Sequence, residues 1–128
     1  MDELIARVAA AIGVDAATAK TAIGLVLGFL QKELPDGPVA EFLDKVAGSR
    51  DAIDAAEASG GEAGGGLGGL MGGMGGLMGL AGKLNAAGLD MGQIQKLGRE
   101  IFAYAETILG KEKVQQIANS IPGLSQFV

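Results

Sequence analysis

The sequence predicts an all-α protein. Apolar residues recur at intervals of three and four through most of the chain, which is the spacing of one helical face. Residues that favour helix starts precede these stripes, and glycines follow them. A shift of 75 positions also keeps apolar residues in register between the two parts of the chain. We therefore expect two related helical units.

Three helices, short, long and short, are predicted over residues 1–48. The first carries an apolar stripe that consists of Leu4, Ile5, Val8 and Ile12. Gly13 ends this helix, and Asp15 is a natural N-cap for the long helix that follows. Pro38 suits the first position of the third helix, and Gly48 stops it. These residues define the first helical unit.

Residues 49–66 form a predicted connector, which is Ala-rich and acidic at first and Gly-rich at its end. Ile53 is its only large apolar residue, so the Ala-rich part is either a loosely held helix or a linker. Gly24 and Gly28 lie four residues apart on the preceding long helix. This spacing predicts a point where another helix crosses closely.

The second unit is predicted over residues 67–128 and repeats the first. Gly88 and Asp90 occupy the positions of Gly13 and Asp15 after the 75-residue shift. Gln93 stands where a capping box needs it. We expect one compact domain made of the two units and the connector.

A glycine-rich tract joins the units. Thirteen of the 23 Gly lie within residues 60–82, and the 20 residues between Glu62 and Lys83 carry no charge. The Leu and Met residues of the tract recur at three- and four-residue intervals, which favours a helix with one bare glycine face. Each Gly costs a helix about 1 kcal/mol relative to Ala, so such a helix needs closely packed neighbours.

Three interpretations of this tract remain open from the sequence. It is a flexible linker, a packed helix at a core or oligomer interface, or a segment of 20 residues that inserts into a membrane. The spacing of its apolar residues favours the packed helix. The predicted interaction surface consists of Leu67, Gly68, Leu70, Met71, Gly72, Met74, Gly76, Leu77 and Met78.

The composition removes most catalytic chemistry. The chain has no His and no Cys, so histidine proton transfer, thiolate attack and the usual zinc ligands are excluded. Gly64, Gly66 and Gly69 match a dinucleotide-binding spacing, but the surrounding pattern is helical and no strand precedes them. We predict no enzymatic activity, no catalytic residue, no cofactor and no metal.

Two groups of side chains have a plainer interpretation than chemistry. Asp51, Asp54 and Glu57 form the densest acidic group, and their three-residue spacing is typical of a solvated helix face. Tyr104 is the only phenol and corresponds to Phe29 after the shift, which predicts a packing role.

The charge is unevenly divided. The net charge is −5, which disfavours nucleic acid as a partner. Residues 1–62 carry 5 basic and 11 acidic side chains, whereas residues 83–128 carry 5 and 4. The two halves can therefore attract each other, within one chain or between chains. Acidic residues near the N-terminus are unlike a secretory signal, so we expect a cytoplasmic protein.

The motif G-V-D-x-x-x-A-x-x-A-I over residues 13–23 precedes the order Gly/Leu tract, second helical unit. This combination resembles the bacterial helical families of unknown function typified by VcgC/VcgE, and more loosely those typified by YidB. The resemblance covers nearly the whole chain and implies a small helical protein without catalytic residues. Residues 1–34 also resemble the start of HU-type DNA-binding proteins, but no β-ribbon pattern or basic arm follows Pro35.

The sequence therefore predicts a non-enzymatic helical protein that acts by association with itself or with another protein. The alternative is binding of an apolar ligand or a membrane surface through the Leu and Met residues of the tract, because Met-rich faces adapt to irregular partners. No small molecule is identified.

Overall fold

The computed structural model describes residues 2–34, 36–64 and 77–120, with the backbone alone for 57–64 and 77–78. Within these ranges the chain forms seven α-helices and no β-strand, which confirms the all-α prediction. In chain order the helices are α1 (Asp2–Ile12), α2 (Ala16–Glu33), α3 (Pro38–Lys45), α4 (Ser49–Gly64), α5 (Leu77–Ala86), α6 (Met91–Leu109) and α7 (Lys111–Ser120).

The predicted signals set the starts of the two long helices. Asp15 caps α2 by accepting a hydrogen bond of 2.8 Å from a main-chain N–H of the first turn. Asp90 caps α6, and Gln93 completes the capping box as predicted. Gly13 and Gly88 end the preceding helices at φ angles of 71° and 104°, a left-handed conformation that favours glycine.

The Ala-rich stretch of the connector is a helix that packs tightly. Helix α4 contacts α2 more extensively than any other pair of described helices contact each other. A Cβ atom added at Gly24 would overlap the carbonyl group of Ala52 and lie 2.8 Å from the Cβ of Ala56. A Cβ at Gly28 would lie 3.4 Å from a methyl group of Ile53. The predicted close crossing at these glycines is confirmed, and α4 is the helix that crosses there.

The short helices at the start of each half pack across to the other half. Helix α1 contacts α6 more extensively than it contacts its neighbour α2. Helix α5 likewise contacts α2 more than α6. Helix α3 packs on both α6 and α7. Residues 2–64 and 77–120 therefore interlock.

Both halves contribute to one apolar core. Its largest fully buried apolar side chains are Leu4, Ile23, Leu27, Leu84, Leu89, Leu97 and Ile101. The first three belong to α1 and α2, and the others belong to α5, α6 and the turn between them. Burial of such side chains is the main source of stability, so neither half supplies a complete core alone.

The starts of the helices recur at a near-constant spacing. Helix α5 begins 75 residues after α1, α6 begins 75 residues after α2, and α7 begins 73 residues after α3. Helix α4 has no counterpart among the described residues, and the part of α2 that it covers corresponds to an exposed, polar part of α6.

Candidate functional site

Helix α5 is the described part of the predicted interaction surface. Seven members of that surface lie outside the described residues: Leu67, Gly68, Leu70, Met71, Gly72, Met74 and Gly76. Leu77 and Met78 form the first turn of α5, where the backbone is described. The surface therefore reaches the described fold at the start of this helix.

Two leucines fix α5 to the rest of the protein. Leu80 and Leu84 are buried and lie four residues apart on one side of the helix. The carbonyl group of Leu84 accepts hydrogen bonds of 3.1 Å from the N–H groups of Ala87 and Leu89. These bonds close the C-terminal turn, so α5 is anchored along one side and at its end.

The glycines of α5 do not lie on that anchored side. A Cβ added at Gly79 or Gly82 would meet no atom within 4 Å. Gly24 on α2 is the opposite case, because α4 occupies the space where its side chain would be. The chain thus uses the small size of Gly24 for its own packing, whereas the backbone at Gly79 and Gly82 stays uncovered by the described residues.

Charged and polar side chains join the two halves. Arg7 on α1 and Glu100 on α6 form an ion pair of 3.5 Å. Lys113 on α7 donates a short hydrogen bond to Glu41 on α3. The charge asymmetry of the sequence is therefore used at least in part within the chain.

Glu41 is the centre of a small ion-pair network. Lys113 donates to one of its carboxylate oxygens, and Lys45 contacts the other at 3.1 Å from the next turn of α3. Hydrogen bonds from Lys113, and then from Lys45, hold the pKa of Glu41 below its usual value. The carboxylate side chain remains about one-third exposed, so salt screens these pairs.

Tyr104 packs as predicted. Its ring meets that of Phe42 edge to face, with centroids 6.3 Å apart and an interplanar angle of 87°. Phe42 lies on α3 and Tyr104 on α6, so this contact also joins the halves. Edge-to-face pairs add to the stability that apolar burial gives.

The predicted acidic group lies on the surface. Asp51 and Asp54 are exposed on α4, and Asp44 forms an ion pair of 2.7 Å with Arg50. Among the described residues, no group of three acidic side chains is arranged to hold a metal ion. This region matches the prediction of a solvated helix face.

The described residues form one shallow groove of about 350 Å³ between α1 and the first turn of α2. It is lined by Asp2, Ile5, Ala6, Ala16, Ala17 and Lys20. No single described helix is long and apolar enough to cross a membrane. Helices α1 and α2 meet that test only as a pair, with a bend of 106° between them.

Sequence reasoning missed two polar contacts that fix the helices. Gln93 donates a hydrogen bond to the carbonyl oxygen of Ile12 in the other half. Ser49 is fully buried and donates to the carbonyl oxygen of Leu43. The position of Ser49 directly after the predicted stop at Gly48 is a usable signal, whereas nothing in the sequence pairs Gln93 with Ile12.

Comparisons of the chain with protein-family models, curated proteins and solved structures found no match.

Proposed function

We propose that this protein acts by associating with protein, with a second copy of itself or with another chain, and that it is not an enzyme. The observation that carries the proposal is the uncovered backbone at Gly79 and Gly82 on α5. The proposed surface continues from these glycines into the predicted set from Leu67 to Met78.

The cost of helical glycine supports the proposal. Each glycine inside a helix lowers stability by about 1 kcal/mol relative to alanine. At Gly24 the close approach of α4 offsets this cost. No contact among the described residues offsets it at Gly79 or Gly82. Close packing of another backbone against this face would do so, and it requires the absence of side chains that glycine provides.

We also propose that the chain consists of two copies of one unit made of a short, a long and a short helix. The 75-residue spacing of α1 with α5 and of α2 with α6 supports this. The N-caps Asp15 and Asp90 have the same spacing, as do the left-handed residues Gly13 and Gly88. The relation to the VcgC/VcgE type and a cytoplasmic location stay predictions.

The test compares oligomeric state before and after the glycine face is filled. Gly79→Gln with Gly82→Gln adds bulk without apolar surface and suits a helix. We expect the wild-type protein to elute at a mass above the 12.8 kDa of one chain and the double variant to shift to that mass in light scattering. The matched control is Gly92→Gln, at an exposed glycine of α6.

A wild-type protein that stays at 12.8 kDa at millimolar concentration, and that captures no other protein, would contradict the proposal. Flotation with liposomes tests the alternative function on the same variants. If the wild type floats with liposomes and the double variant does not, the surface binds lipid in place of protein.

A further inference from the structure

We propose that two copies of this chain exchange halves, so that residues 2–64 of one copy pack on residues 77–120 of the other. The partner is thus a second copy of this chain, and the surface is the one that already joins α1 to α6, α5 to α2 and α3 to α7. We call this surface the seam.

The packing of the short helices carries the argument. Both α1 and α5 contact the long helix of the other half more extensively than the long helix of their own half. Each half therefore leaves apolar surface that only the other half covers. The covering half can come from the same chain or from a second copy, because the contacts are the same in both cases.

Polar contacts make the seam specific. Arg7 pairs with Glu100, and Glu41 pairs with Lys113. Such complementary charges select the correct partner surface more than they add affinity. Of the printed ion pairs between different helices, these two cross the seam, and the pair of Asp44 with Arg50 lies within one half.

The covalent link between the halves is compatible with exchange. All contacts of the seam lie in described residues, and the halves are joined only through residues 65–76. Eight of those twelve residues are glycine, the residue with the widest choice of backbone conformations. Exchange requires a new path for this link and leaves the seam itself unchanged.

Cross-linking tests the proposal directly, because the chain has no cysteine of its own. One sample carries Arg7→Cys and a second carries Glu100→Cys. The two are unfolded together, refolded at high concentration and treated with a short bismaleimide. We expect a cross-linked product of twice the chain mass, joined between positions 7 and 100.

Two controls frame this result. A single chain with both substitutions shows that the reagent spans the seam, and a mixture of Arg7→Cys with Gln95→Cys, an exposed position elsewhere on α6, measures random collision. If the single chain cross-links internally while the mixture gives no more product than the Gln95 control, the proposal is wrong.

Charge reversal gives a second measurement. One copy carries Arg7→Glu and Glu41→Lys, and the other carries Glu100→Arg and Lys113→Glu. Each copy alone places like charges across both pairs of the seam, and exchange between the two restores both pairs. We expect heterodimers to outnumber the two homodimers together in native mass spectra, whereas equal amounts would contradict the proposal.

Exchange is independent of the glycine face of α5. The Gly79→Gln and Gly82→Gln variant removes the association proposed above and leaves the seam intact. Cross-linking between positions 7 and 100 in that background therefore separates failure of one proposal from failure of the other.

Discussion

The side chain of Gln93 donates a hydrogen bond of 2.8 Å to the carbonyl oxygen of Ile12. Its amide oxygen simultaneously accepts a hydrogen bond of 2.9 Å from the N–H of Asp90. One side chain thus caps the start of α6 and satisfies a carbonyl group at the end of α1, where the helix itself supplies no donor. The second of these bonds ties the two halves together.

Replacement of Gln93 by Ala removes both bonds. We expect Gln93→Ala to lower the free energy of unfolding by about 1–3 kcal/mol, because it leaves a helix start and a half-buried carbonyl group without partners. Urea denaturation measures the change. Gln95→Ala, at an exposed position of the same helix, should change stability by less than about 0.5 kcal/mol. Equal losses for the two variants would show that the bond to Ile12 contributes nothing.

The starts and ends of the helices were predictable because their causes are local. Asp15, Asp90 and the glycines before them act within one turn of the chain. The partner of each helix was not predictable in the same way. An apolar stripe shows which face is buried, but it does not show that α1 packs chiefly on α6 or that α4 fills the space beside Gly24. These choices depend on shapes that form only when the halves meet.

Gly24 and Gly28 should respond oppositely to the same substitution. A methyl group at Gly24 would collide with the backbone of Ala52, so α4 must move. We expect Gly24→Ala to cost about 3 kcal/mol. At Gly28 the methyl group would reach ordinary contact distance, 3.4 Å from Ile53, and a better helix former would replace glycine. Gly28→Ala should therefore be neutral or stabilising by up to about 1 kcal/mol.

Thermal and urea unfolding of these two variants provide the measurement. Amide hydrogen exchange adds a local readout, because loosening of α4 by Gly24→Ala should speed exchange in α4 before it affects α6. Equal stability of the two variants would contradict the close approach at Gly24.

Glu41 makes stability depend on acidity. Lys113 and Lys45 lower the pKa of this carboxyl group in the folded protein. A group with a lowered folded pKa stabilises the protein above its unfolded pKa, and this stabilisation disappears as the pH falls through the folded pKa. We expect the wild-type protein to lose stability below about pH 4.5 and Glu41→Gln to lose less over that range.

The control is Glu33→Gln at the exposed end of α2, which should leave the pH dependence unchanged. Unfolding curves from pH 3 to pH 7 at low salt compare the variants, and added salt should reduce the difference because these pairs are partly exposed. A Glu41→Gln variant with the wild-type pH dependence would exclude a contribution from the network.

Ser49 and Ser120 test the effect of burial on one kind of hydrogen bond. The Ser49 hydroxyl is buried and donates to the carbonyl oxygen of Leu43 at 3.0 Å. The Ser120 hydroxyl is exposed and donates to that of Gln116 at 2.7 Å. Water can replace the lost donor at the surface but not in the interior. We expect Ser49→Ala to cost about 1–3 kcal/mol in urea denaturation and Ser120→Ala to cost less than about 0.5 kcal/mol. If Ser120→Ala cost as much as Ser49→Ala, burial would not explain why α4 begins at a serine.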